Sequence, residues 1–167
     1  MTKTKVDTIV NGADTSLYML DKPKLYSSEK FNIITVGVLG KRKGYYDLIQ
    51  CASKLVDRGI NNINFIFLGG GEIDVFKKLI KDKKLNNIIS IYDNVSNEEK
   101  IRLLQESHLF ILPTYNEGQP ISIIEAMCCG LPIISTKVGA IPELIMSKNG
   151  YLIEPGDLDD LTNGIIK

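Results

Sequence analysis

The chain has 167 residues, with 20 basic and 20 acidic side chains, which suits one domain with a sizeable core. Zero net charge excludes the broad basic field that holds nucleic acid, and the apolar runs are too short for a membrane span. The three cysteines, Cys51, Cys128 and Cys129, form neither a disulfide framework nor a metal-ligand spacing. With a polar N-terminus that lacks a secretory signal, they read as reduced, buried small side chains in a cytoplasmic protein.

In chain order, apolar β-type runs alternate with amphipathic helices. Residues 32–37 predict a strand. Residues 45–58 predict a helix with Leu48, Ile49, Ala52, Leu55 and Val56 on one face. A strand over 64–68 ends in Gly69-Gly70-Gly71, followed by a helix over 73–84 and a short strand over 88–92. Ser96-Asn97-Glu98-Glu99 forms a capping box that opens a helix to about Glu106. His108, the only histidine, precedes a strand over 109–112 and reads as structural, with no evident partner. A helix over 121–129 is stopped by Gly130 and Pro132. A strand over 132–135, a short helix over 142–146 and a strand over 151–153 follow. Asp157 caps a last helix that reaches Lys167. Apolar strands alternating with helices predict an α/β fold, a doubly wound, Rossmann-like parallel sheet covered on both faces. Ligands in such sheets bind beyond the carboxyl ends of the strands. The loops at 40–44, 69–71, 92–95, 117–120 and 139 should therefore line one crevice.

The stretch Asn116-Glu117-Gly118-Gln119-Pro120-Ile121-Ser122-Ile123-Ile124-Glu125-Ala126-Met127 carries the most chemistry. It places two carboxylates eight positions apart across a loop-to-helix junction. Pro120 suits the first helical turn, and free N–H groups at a helix start bind anions. Gly118 lets a ligand approach the backbone closely. Acidic side chains beside an anion site make sense if they accept hydrogen bonds from hydroxyls. A nucleotide diphosphate sugar offers both an anion and hydroxyls. Taken singly, a glutamate in a loop or a helix is usually a solvated residue; the whole arrangement is what argues for a site. Val36-Gly37-Val38-Leu39-Gly40-Lys41-Arg42-Lys43-Gly44 sets three consecutive cations in a Gly-containing loop, which suits a diphosphate but taken alone also fits a solvated basic turn.

Residues 113–132 resemble the E-x7-E signature of retaining glycosyltransferases of GT-B architecture, group 1 or family 4. The continuation Ile133-Ile134-Ser135-Thr136-Lys137-Val138-Gly139-Ala140-Ile141-Pro142-Glu143-Leu144-Ile145 is similar to the same family's next strand, loop and helix. The resemblance implies that Glu117 contacts the donor sugar hydroxyls and Glu125 the ribose. Lys43, aided by Arg42, would stabilise the departing diphosphate. Gly40, Gly118, Gln119, Pro120, Ile121 and Ser122 would surround the phosphates. Asn94, Val95 and Lys100 lie in or near the loop that resembles the family's nucleobase pocket; Lys100 is otherwise an ordinary solvated helix residue. The resemblance further implies a front-face mechanism with no metal and no cofactor.

Two departures stand out. Val38 occupies a position where the family often has Arg, which leaves the diphosphate to Lys41, Arg42, Lys43 and backbone N–H groups. Glu117-Gly118-Gln119-Pro120 stands where many members read Glu-Gly-Phe-Gly, and Pro120 removes one backbone donor. The segment Lys5 to Asp14 resembles the link to an acceptor-binding domain. Residues 1–14 are therefore expected to be a linker remnant and 15–167 the donor-binding domain. The acceptor domain, absent here, would supply any peripheral membrane association, and the domain alone would be inactive without it. Analogy points to bacterial surface polysaccharide or lipopolysaccharide synthesis. A nucleotide-sugar epimerase of related fold and a non-catalytic nucleotide-binding module are the alternatives.

Overall fold

Six parallel strands form one sheet in the order β3-β2-β1-β4-β5-β6. The structure, a computed structural model, describes residues 11–19 and 30–167; most of the expected linker, residues 1–10, lies outside the described residues. The strands are β1 (Phe31–Val36), β2 (Ile63–Leu68), β3 (Ile89–Tyr92), β4 (Leu109–Leu112), β5 (Ile133–Thr136) and β6 (Gly150–Ile153). The helices are α1 (Thr15–Tyr18), α2 (Tyr45–Asp57), α3 (Ile73–Asp82), α4 (Asn97–Glu106), α5 (Ile121–Cys128), α6 (Ile141–Leu144) and α7 (Leu158–Ile166).

Period-2 alternation within each apolar strand feeds two cores. Ile33, Phe65, Phe67 and Ile111 face one layer, with Leu48 and Leu55 of α2, Phe76 of α3 and Leu161 of α7. Ile34, Ile66, Phe110 and Leu112 face the other, with Leu104 of α4 and Ile123 and Ala126 of α5. This is the doubly wound, Rossmann-like sheet that the alternation of strands and helices predicts.

Element ends differ from the expected ones by one or two residues at most termini. Two single-turn elements carry too little periodicity to be seen in sequence: α1, and a 3-10 turn at Lys41–Lys43. Asp14 caps α1, its carboxylate accepting from the Ser16 N–H at 3.1 Å. The capping box of α4 is only half formed. Ser96 Oγ accepts from the Glu99 N–H at 3.2 Å. The Glu99 carboxylate turns instead to Arg102, accepting from Nη2 at 2.7 Å and Nε at 2.8 Å, a bidentate charge-assisted pair that outcompetes a backbone N–H. His108 does have a partner: its Nδ1 accepts from the Asn32 N–H at 2.9 Å. Cys51 and Cys129 are buried, whereas Cys128 is only half-buried.

The sheet changes direction between β1 and β4. The chain winds from β1 outward to β3 on one side, then returns to continue from β4 to β6 on the other. β1 pairs with β4 only at Ile33↔Leu109 and Ile34↔Phe110. Beyond them Thr35 Oγ1 donates to the Ile111 carbonyl at 2.7 Å. The loops leaving these two strands lie at the switch point of the sheet, the place where such sheets bind ligands.

Candidate active site

The loops after β1 and β4 are bound to each other before any ligand arrives. Gly44 adopts φ 76 in the left-handed region, and a Cβ there would lie 2.1 Å from the Pro113 carbonyl oxygen. Only glycine fits so close an approach. The Arg42 carbonyl accepts from the Tyr115 N–H at 2.9 Å, and Thr114 Oγ1 lies 3.1 Å from it. This stitching brings the Lys43 ammonium into contact with Glu117 Oε1. Their side chains are 13% and 9% exposed. The Lys43 stem runs beneath Gly37, where a Cβ would meet Lys43 Cε at 3.7 Å.

Arg42 is more open. Its Nη1 donates to the Asn116 carbonyl at 3.0 Å and stands 3.9 Å from Glu117 Oε1. Gly40 is extended, with a Glu72 oxygen 3.5 Å from the place a Cβ would occupy. Val38 is exposed and offers no donor. The charge at this end of the crevice thus comes from the 3-10 turn Lys41–Lys43, not from residue 38.

A third loop sets the position of Glu117. Gly139 adopts φ 55, and a Cβ there would lie 2.1 Å from the Glu117 carbonyl oxygen. Next to it, the Ala140 N–H donates to the Gly118 carbonyl at 2.8 Å. A Cβ on Gly118 would meet nothing within 4 Å, so this face of the loop is open. Pro120 is the N-cap of α5, with ψ 117, rather than a residue of the first turn as expected. The helix itself begins at Ile121, as expected. The N–H groups of Ile121 and Ser122 have no acceptor among the described residues, as expected for a first turn. Gln119 is held by Asn11, whose N–H donates to Oε1 at 2.5 Å and whose Nδ2 donates to the Gln119 carbonyl at 2.9 Å.

Glu125 lies one turn further along α5 and is 8% exposed. Its Oε1 accepts from Tyr18 Oη at 2.6 Å and from Lys100 Nζ at 2.7 Å. Burial raises the Tyr18 hydroxyl's pKa, and the Glu125 carboxylate adds to the rise. Burial pulls the Lys100 ammonium down, but Glu125 and Tyr18 outweigh it, and its pKa rises. Lys100 also lines a cleft of about 320 Å³ together with Gly69, Gly70, Asn94, Val95 and Ser96. Asn94 stands in the left-handed region at φ 48, which asparagine tolerates better than most residues.

The candidates therefore fall into two neighbouring groups. Lys43, Arg42, Glu117, Gly118 and the start of α5 meet at the switch point. Asn94, Val95, Lys100 and Glu125 gather around the cleft beside it. Gly40 sits at the rim of the first group. Sequence reasoning singled out neither Tyr18 nor Asn11 as a site residue; it placed the Gly139 loop in the crevice but not against Glu117. Of the missed residues, only Tyr18, by its aromatic character, could have drawn notice. No cluster of three or more His, Cys, Asp or Glu side chains suited to a metal occurs among the described residues.

Residues 20–167 match the family model of glycosyl transferases group 1. The chain belongs to this family. It is 30% identical over 141 residues to the amylovoran biosynthesis glycosyltransferase AmsK of Erwinia amylovora, covering 80% of this chain and 34% of the relative. It is 29% identical over 168 residues to the capsular polysaccharide biosynthesis glycosyltransferase CapM of Staphylococcus aureus, covering 94% of this chain and 43% of that one. It thus spans well under half the length of these relatives. Among solved structures, Anabaena Alr3699/HepE in complex with UDP-glucose superposes with a TM-score of 0.77 at 25% identity, over 93% of this chain and 45% of that one. The C-terminal domain of a group 1 glycosyltransferase from Francisella tularensis superposes with a TM-score of 0.78 at 22% identity, over 93% of this chain and 86% of that domain. That second match concerns the fold alone.

Proposed function

We propose that this group 1 glycosyltransferase chain is a nucleotide-sugar donor-binding domain acting with retention of configuration. The observation that carries the reading is the meeting of Lys43 and Glu117 at the switch point, beside the first-turn N–H groups of α5. A diphosphate at that point would face the Lys43 ammonium, the Arg42 guanidinium and the N–H groups of Gln119, Ile121 and Ser122. Lysine has three donors and spends one on Glu117, so the pair can hold a phosphate and a sugar hydroxyl side by side. Glu117 would accept from the donor sugar hydroxyls. Glu125 would accept from the ribose, with the base in the cleft near Asn94 and Val95. That HepE binds UDP-glucose supports such a donor.

In the reaction, the bond from the sugar's anomeric carbon to the diphosphate oxygen breaks. The acceptor hydroxyl forms its new bond on the same face, and its proton passes to the departing phosphate oxygen. Charge grows on that oxygen as the bond breaks, and fixed cations and N–H dipoles there lower the barrier. These groups do the work a metal would otherwise do, so the reading needs no metal or cofactor. The relatives named for amylovoran and capsule synthesis support a role in bacterial surface polysaccharide assembly. The acceptor would be held by a second domain, at the cytoplasmic face of the membrane.

Thermal unfolding with UDP, GDP, ADP and CMP and their common sugar conjugates, with and without EDTA, tests the reading. A nucleotide at about 100 times its dissociation constant should stabilise by ~2.7 kcal/mol. The expected result is a shift with one base that survives EDTA. No shift with any of them overturns the donor-binding reading, and a shift abolished by EDTA overturns its metal independence.

A further inference from the structure

Glu125 is held more tightly than a hydroxyl acceptor needs to be. Among the described residues, both of its side-chain donors fall on one oxygen: Tyr18 Oη and Lys100 Nζ reach Oε1 at 2.6 and 2.7 Å. Oε2 has no donor among the described residues. The Glu125 side chain keeps 11% of its surface exposed. The three groups come from three elements. Tyr18 ends α1, Lys100 lies in the first turns of α4, and Glu125 sits in α5. Lys100 also stands over the Tyr18 ring, 5.5 Å from its centroid, which adds a cation–π attraction to the arrangement.

We infer that Tyr18 and Lys100 are positioning residues that lock Oε1 of Glu125 and present Oε2 as the acceptor for a ribose hydroxyl. The inference rests on the donor-binding reading. A glutamate free to turn loses rotamer entropy when it binds. Here the two donors fix the carboxylate before the ligand arrives, which favours binding. Lys100 also offsets the charge of Glu125, which would otherwise stand uncompensated in a crevice built for a diphosphate. Tyr18 is 4% exposed and packs its ring into the core, so Tyr18→Phe removes the hydroxyl and keeps the packing.

The test measures calorimetric affinities of this chain for UDP, GDP and ADP and for the 2′,3′-dideoxy form of each. One hydrogen bond to a charged acceptor should give the wild type a roughly tenfold preference for the ribose form of whichever base binds. Tyr18→Phe should cut that preference several-fold and leave the affinity for the dideoxy form unchanged. Lys100→Met should cut the preference too, and it decides the question should Tyr18→Phe fail to fold. A wild-type preference that persists in the folded variants overturns the positioning role and leaves the donor reading intact. No preference in the wild type, with the nucleotides still bound, overturns the placement of ribose at Glu125 and this inference with it. A merely structural role for Tyr18 would lower both affinities together, which also overturns the inference.

Discussion

Lys43 and Glu117 come from loops 74 positions apart and meet where water reaches little of either side chain. Two ions placed so lose much hydration and recover it from each other. Removing Glu117 strands the Lys43 ammonium, and removing Lys43 leaves Glu117 only the more distant Arg42, 3.9 Å away; either loss costs about 3 kcal/mol. Removing both leaves no stranded charge. Lys43→Met should therefore lower unfolding stability in urea by about 3 kcal/mol, and Glu117→Gln by a smaller amount because an amide still satisfies part of the site. The double variant should lose less than the sum. Additive losses would mean that the pair is not coupled. The sequence placed each of these residues at a strand end and so in one crevice, but could not show that they touch. The partners of Glu125 were hidden for the same reason. Tyr18 lies 107 positions away, and no periodicity links the two.

Several loops, not one, build the ligand end of the fold, and glycines set their spacing. The Gly69–Gly71 turn lies against the Gly37–Leu39 backbone, with a Cβ on Gly69 only 2.2 Å from the Gly37 carbonyl oxygen. Gly139 holds the Glu117 loop in the same way. Gly139→Ala would place a methyl group 2.1 Å from the Glu117 carbonyl, at a φ that L-residues seldom adopt. The backbone of the Glu117 loop must then move. The expected outcome is a drop in melting temperature of several degrees together with a several-fold loss of nucleotide affinity. Gly130→Ala provides the comparison. It shares a left-handed φ, of 70, but faces open space and sits at the opposite end of α5. It should cost stability and spare affinity. Equal losses of affinity from both would argue against Gly139 as the residue that places Glu117. Apolar alternation and turn residues made the strands and the longer helices legible in the sequence. The order of the strands was not legible, because pairing runs through the backbone and the short apolar runs resemble one another. The capping box of α4 misled for a related reason: the local pattern was right, but Arg102 competed for Glu99.

At the scale of the whole domain, two of the clefts among the described residues compare as places for a nucleotide. One is the crevice at the carboxyl ends of the strands, with the 320 Å³ cleft at its side. The other, of about 400 Å³, is lined by Met127, Gly130, Leu131, Pro132, Lys148 and Asn149. It is larger, but it lies at the amino ends of β5 and β6. There Lys148 is its one cation, and it faces the C-terminal end of α5, whose carbonyl dipoles repel phosphate. The carboxyl-end crevice has the basic turn Lys41–Lys43, the start of α5 and the switch point. Charge and dipole therefore outweigh volume, and one ligand should touch loops from both halves of the sheet at once. Amide hydrogen exchange with a bound nucleoside diphosphate reads this directly. Segments 37–44, 94–100 and 117–123 should slow together, because one rigid ligand bridges them. Segments 127–132 and 146–150 should exchange at unchanged rates. Protection confined to those two segments would place the nucleotide in the amino-end cleft. Protection of only one of the three carboxyl-end segments would mean that the crevice does not close on a single ligand.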